Sequence, residues 1–308
     1  MKKLLLLTLT IFFTQLHAQQ EEYGEFLQNA KAAAENGRIK EFNLNFRYFV
    51  TAMDRDKITP EILTKENFDL FSECIFWGIS SDWIKAEDLK TDIIPFLEYD
   101  IENHPTNMDV LGRIYLIGRG APQDYEKAKS WFEKGAKRDD IGSTYMLGVM
   151  YSSPLSGIQD TEKSKTYFLK AAELGSASAL FMLALKYKYG TSGYEKDISQ
   201  AIELCKEAIE KAKDSEKGGF MVFLAECYES KRNKKEAKYW SNQGKEYHEK
   251  RAAKGDALAM YSLGLMYQSG NSSVKKDPEQ AKEWFRKSCD AGYQPVCRHT
   301  DGQKIIIQ

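Results

Sequence analysis

The sequence predicts an all-α protein, an α–α superhelix of stacked helix pairs carried behind a helical N-terminal segment. Three observations predict it. A short motif recurs through the last two thirds of the chain at the period of a helix pair. Apolar residues recur three and four apart, the spacing of one helix face. Aspartates stand just ahead of these stretches and glycines just behind them, where helices are capped.

The first element is residues 1–18. Lys2 and Lys3 precede an apolar run from Leu4 to Phe13 and a Leu16-His17-Ala18 exit, the three-part pattern of a secretory signal peptide. A bilayer span needs about 20 apolar residues and this run is about half that. Cleavage is therefore expected near Gln19, with a periplasmic or secreted mature chain. Of 44 basic residues the leader takes two, leaving 42 against 45 acidic ones and a mature net charge of about −3. That balance lacks the basic excess of a nucleic-acid binder. No later stretch is apolar enough to span a membrane, so neither nucleic acid nor stable membrane insertion is expected.

Residues 19–105 form the second element and lack the recurring motif. Phe26, Ala30 and Ala33, and further on Phe68, Phe71 and Ile75, keep helical spacing, and Thr59-Pro60-Glu61 reads as a helix start. Four or so helices are expected here, either divergent repeats or a cap on the array.

Residues 106–296 carry the array. A leucine, a small residue and a tyrosine four after the leucine occur five times: Leu111-Gly112 to Tyr115, Leu147-Gly148 to Tyr151, Leu183-Ala184 to Tyr187, Leu224-Ala225 to Tyr228, and Leu263-Gly264 to Tyr267. Successive leucines lie 36, 36, 41 and 39 residues apart, a period of solenoids built from helix pairs. A second helix follows each motif, anchored by Ala128 and Phe132, Ser164 and Phe168, Ala201 and Cys205, Ala237 and Ser241, and Ala281 and Phe285. From leucine to the first anchor the distance is 17, 17, 18, 13 and 18 residues, so the fourth unit has the shortest connection. Asp124, Asp160, Asp197 and Asp277 are the expected N-caps of the second helices, and Gly175, Gly255 and Gly292 the expected unit ends. A lone helix pair is too thin to bury its apolar stripe, so the units must stack.

These residues resemble Sel-one-like repeats, relatives of tetratricopeptide repeats with a longer turn inside the pair. Leu-Gly-x-x-Tyr, the stretch Asp124-Tyr125-Glu126-Lys127-Ala128-Lys129 with Trp131-Phe132, and Lys-Ala-Ala-Glu-x-Gly carry the resemblance. Leu111 to Ala136, Leu147 to Gly175 and Leu263 to Gly292 match closely, the units around Leu183 and Leu224 less so. The fourth looks more like a plain tetratricopeptide unit. The resemblance implies a non-enzymatic role in protein–protein interaction.

Export would place the cysteines in an oxidising compartment. Cys289 and Cys297 lie eight apart across a turn, where a disulfide can be spanned, and they resemble the pair of a secreted, cysteine-rich branch of the family. Cys205 and Cys227 flank the Gly218-Gly219 turn and could pair, though both fit ordinary buried positions. Cys74 reads as a small buried hydrophobe. Residues 297–308 remain as a tail.

No His-Glu-x-x-His pair, Gly-x-Ser-x-Gly elbow or phosphate-cradling glycine loop occurs. His104, His248 and His299 are not at metal-ligand spacing, so no catalytic residue, metal or cofactor is expected. The expected binding surface is the inner curve lined by the first helix of each unit. It nominates Asp109, Arg113, Tyr145, Val149, Phe181, Lys188, Glu226, Tyr261 and Gln268, aromatics among charges that suit a protein or peptide partner. The competing reading is that Tyr145, Phe181 and Tyr261 merely pack against neighbouring helices. The function expected is a scaffold or adaptor in the cell envelope. The alternatives are an inhibitor or immunity protein neutralising an effector enzyme, or a weak cell-wall-ligand binder or hydrolase.

Overall fold

The computed structural model describes residues 2–56, 63–80, 93–99, 101, 106–118, 120–293 and 297. The expected helix start at Thr59 and the tail beyond Cys297 lie outside them. Among the described residues all regular structure is helical. The N-terminal segment supplies α1 (Lys2–Glu35), α2 (Ile39–Asp56), α3 (Lys65–Ser80) and α4 (Ile93–Glu98). The α1 backbone runs through the Ala18–Gln19 junction without a break.

Five helix pairs follow: α5 (Thr106–Ile117) with α6 (Tyr125–Ala136), α7 (Ile141–Ser152) with α8 (Thr161–Glu173), α9 (Ala177–Tyr189) with α10 (Ile198–Lys211), α11 (Lys217–Ser230) with α12 (Lys234–Ala252), and α13 (Ala257–Ser269) with α14 (Pro278–Asp290). The two helices of each pair pack on each other, and the second helix of units 1 to 4 packs on the first helix of the following unit. The motif leucines Leu111, Leu147, Leu183, Leu224 and Leu263 are all buried at the centre of this packing.

The small residue after each leucine is where the two helices of a unit cross. A Cβ on Gly112, Gly148 or Gly264 would lie 2.4, 2.8 and 2.4 Å from the rings of Phe132, Phe168 and Phe285, so the ring occupies the space a methyl would need. In units 3 and 4 the glycine becomes Ala184 or Ala225, and the residue at the phenylalanine position shrinks to Cys205 or Ser241, both fully buried. The volume is exchanged across the crossing, as close packing requires. Unit 4 makes a second close approach elsewhere. A Cβ on Gly218 would meet the His248 imidazole at 2.7 Å, and one on Gly244 would meet Val222 at 2.8 Å.

One hydrogen bond recurs in every unit. The carbonyl of the motif tyrosine accepts from the amide of the residue that caps the second helix: Asp124 to Tyr115 at 2.8 Å, Asp160 to Tyr151 at 2.9 Å, Asp197 to Tyr187 at 2.8 Å, Asn233 to Tyr228 at 2.9 Å and Asp277 to Tyr267 at 2.8 Å. The turn in unit 4 is shorter, yet closes on the same bond. All four expected aspartates cap through their carboxylates, accepting at 2.8 to 3.1 Å from amides of the first helical turn. Asn233 does the same for α12.

The first helices have caps too, which the sequence reading passed over: Asp140, Ser176 and Asp256. Gly175, Gly255 and Gly292 do end their units with φ of +96°, +88° and +110°, and in unit 1 Asp139 at +55° takes that place.

The N-terminal helices are continuous with the array. Helix α1 packs on α2 and α3, and α3 on α5. Phe42, Phe46, Phe49 and Phe71 share one core with Leu111 and Ile114 of unit 1 and Ala257 of unit 5.

Candidate partner-binding face

The first helices of neighbouring units lie side by side, and the nominated residues fall on them. On α5, Asp109 is buried and Arg113 mostly so. Arg113 Nε donates to both Asp109 oxygens at 3.0 Å. Burial pushes the Asp109 carboxyl up to about 6, against the pull of the Arg113 charge. Its carboxylate lies against the first turn of α7, where a Cβ on Gly142 would be 2.5 Å from it.

On α7, Tyr145 is half-buried with its ring 5.8 Å from Phe168, and Val149 packs against the same cluster. Burial raises the Tyr145 phenol, while Arg113 opposes and Glu216 adds to the shift. Charges on α5 and at the start of α11 thus both reach Tyr145 on α7. Phe181 on α9 stacks on Phe220 at 4.4 Å and meets Phe223 edge-on at 4.9 Å. Lys188, the next-to-last residue of α9, is buried to 8% side-chain exposure and its Nζ lies 2.6 Å from the carboxylate of Glu226, itself 47% exposed. The same ammonium sits 4.6 Å from the centre of the Phe223 ring. Tyr261 lies 5.6 Å from Phe285 and 5.1 Å from Tyr293, and Gln268 is half-buried at the end of α13.

The structure therefore joins the nominated residues in pairs. Asp109 with Arg113 and Lys188 with Glu226 are ion pairs, and the second spans two units. Tyr145, Phe181 and Tyr261 all pack against neighbouring helices and keep only part of their surface open. Sequence reasoning missed Ser178 and Glu216, which link α9 to the start of α11 through a 3.0 Å hydrogen bond. Neither belongs to the recurring motif, so no periodic signal marked them.

The sulfur atoms of Cys289 and Cys297 lie 2.15 Å apart with Cα atoms 5.0 Å apart, a disulfide-capable pair at the end of α14. Cys74, Cys205 and Cys227 are buried thiols. Burial pushes the Cys74 thiol up to about 12 and the Cys227 thiol up to about 11, and raises that of Cys205 further. They sit as small hydrophobes. Among the described residues no three His, Cys, Asp or Glu side chains are grouped to hold a metal ion, and no helix is long and apolar enough to cross a membrane.

A family model described as Sel1 repeat matches residues 108–140, 142–176, 177–212 and 257–293. The chain belongs to the Sel1 repeat family. The four matches fall on units 1, 2, 3 and 5. Unit 3, in which alanine and cysteine replace glycine and phenylalanine, is matched as well. The 213–256 stretch between the matches is unit 4, whose short turn and Gly218/Gly244 crossing set it apart.

Among solved structures the chain is similar to a Sel1 repeat protein from Oxalobacter formigenes, 21% identical over 72% of this chain and 84% of that one, with a TM-score of 0.47. It is also similar to a protective antigen of uropathogenic Escherichia coli displaying an SLR fold, 19% identical over 94% of this chain and 64% of that one, TM-score 0.43. A comparison with curated proteins returns no significant match. Sel1 repeats point to protein partners.

Proposed function

We propose that this Sel1 array is an exported scaffold that holds another protein, or a peptide segment of one, on the face made by its first helices. The observation that carries the reading is the Lys188–Glu226 pair. It ties two units together while leaving the Glu226 carboxylate half open, beside the stacked Phe181, Phe220 and Phe223 rings. A rigid aromatic base with a charged rim is the composition of a protein-binding patch. The leader of residues 1–18 and the Cys289–Cys297 pair support an envelope or extracellular setting, since such pairs persist where thiols are oxidised.

The test is affinity capture from envelope extracts with wild type and with Glu226→Arg plus Gln268→Arg. Gln268 is half-buried and Glu226 is paired with Lys188, so circular dichroism and thermal unfolding of the variant are measured first, and capture is compared only if both match wild type. The reading expects a stoichiometric partner with wild type that the variant loses. Equal capture by both proteins, with the fold intact, removes this face from consideration. Intact mass of the exported protein checks the setting: the expected chain starts at Gln19 and is two hydrogens lighter than its fully reduced form.

A further inference from the structure

The two ends of the described chain meet. The turn joining α1 to α2 rests on the turn joining α12 to α13, more than 200 residues away in sequence. The amide of Ala257 donates to the Gly37 carbonyl at 3.3 Å, and Arg251 Nη2 donates to the Glu35 carbonyl at 3.0 Å. Arg251 is aimed by two carboxylates, with Nε 2.5 Å from Asp256 Oδ2 in the turn that follows and Nη1 3.5 Å from Asp214 Oδ2 in the α10–α11 connection. A Cβ on Gly292, just past α14, would lie 3.2 Å from Lys40 and 3.4 Å from Ile39. Leu258, Ala291 and Tyr293 pack against the core that Ile39 and Phe42 share with α1. Contact thus runs from α1 through α3 and α5, along the five units, and back to the α1–α2 turn.

We propose that residues 35–40 are a clasp, which docks the N-terminal hairpin on unit 5, closes the array on itself and can open without unfolding the units. The junction holds a few apolar side chains, Ala257, Leu258, Ala291 and Tyr293, against the Ile39 and Phe42 core, and its polar members stay satisfied when it parts. Arg251 keeps Asp256 and Asp214, and the Ala257 amide is a first-turn helix donor that water can serve. The hairpin keeps its packing on α3. Opening therefore strands no buried charge. The clasp stands on geometry alone. Its consequence, that it fixes the curvature of the first-helix face, rests on the reading above, so the test is made without a partner.

Gly37 has φ +67°, and a Cβ there would fall 2.2 Å from Asp256 Oδ1. Gly37→Ala therefore drives a methyl into the clasp. Gly175 has φ +96° with nothing within 4 Å of its Cβ position, so Gly175→Ala carries the backbone strain without the clash. A third variant, Ala257→Pro, deletes the amide that donates to Gly37 and adds two ring carbons at a buried position of the same junction. It does so at the first position of α13, where proline is tolerated, and Asp256 already has the extended backbone that a following proline requires.

The readout on the full chain is the yield of the Lys40–Lys254 link formed by a short amine crosslinker, together with amide exchange by mass spectrometry. Wild type and Gly175→Ala are expected to form the link. Gly37→Ala and Ala257→Pro are expected to lower it at least fivefold, with exchange tenfold faster around residues 35–40 and unchanged in α7 to α10. A link retained at wild-type yield in both clasp variants overturns the proposal. So does exchange that accelerates throughout units 1 to 5, because the hairpin would then be an inseparable part of the array. Should Gly37→Ala fail to fold, Ala257→Pro decides by the same criteria.

Discussion

The helix crossing of each unit turns on one exchange of volume, and it can be tested in isolation. Phe285 fills the space over Gly264, so Gly264→Ala forces the ring aside and should cost about 1–3 kcal/mol, the range for overpacked cores. Adding Phe285→Cys to it reproduces the pairing of unit 3, Ala184 with Cys205. Urea unfolding should then show the double variant more stable than the sum of the two single variants predicts, by at least 1 kcal/mol. Strict additivity would mean that the two positions do not share the space.

His248 offers a second residue-scale test. Burial beneath Gly218 lowers its imidazole to about 4, so the folded chain holds it neutral. An unfolded histidine takes its proton near 6.5, so acid favours the unfolded state as pH falls from about 6.5 through 4. Asp109, raised to about 6, works in the opposite sense and contributes stability that is lost as pH rises through 6. The two partly cancel in wild type, so the informative quantity is the difference between wild type and His248→Gln. Between pH 7 and pH 5 wild type should lose about 2 kcal/mol more than the variant. Equal losses would mean that the imidazole is solvated.

At the scale of elements, helix ends were the most legible feature. Asp124, Asp160, Asp197 and Asp277 announced the second helices because a carboxylate one position before an apolar period has one obvious use. Asp140, Ser176 and Asp256 cap in the same way but follow directly on the preceding helix end, and were hidden by it. Asp277→Ala removes two amide bonds at the start of α14 and should cost about 1 kcal/mol by thermal or urea unfolding. Cys289→Ser should cost about 2 kcal/mol under oxidising conditions, the value for closing a short loop, and nothing once the wild type is reduced.

The five motifs were readable because each sits on a tyrosine whose carbonyl must meet the next cap. The α1 to α4 segment was not, because its phenylalanines keep helical spacing without that turn. The partner face was only half legible. Counting from the motif leucine placed Lys188 and Glu226 on neighbouring helices, but it could not show that Phe181 spends its ring on Phe220 and Phe223. Those contacts depend on the angle between units, which no local pattern encodes.

For the whole molecule the account makes one claim, that each helix pair is held by its neighbours. Phe132, Phe168 and Phe285 are buried within units, but Phe181 against Phe220, and Lys188 against Glu226, exist only between units. Burying one such ring contributes about 1.5–3 kcal/mol, too little for 35 residues alone against an ordering cost of about 1–2 kcal/mol per residue. Stability should therefore appear only when units are stacked.

The most direct measurement is far-UV circular dichroism of a peptide covering 142–176, the second unit, beside the full chain in the same buffer. The account predicts a strongly helical full chain with a cooperative thermal transition and a peptide below about one fifth helix with none. A peptide that melts cooperatively as a folded helix pair would contradict it.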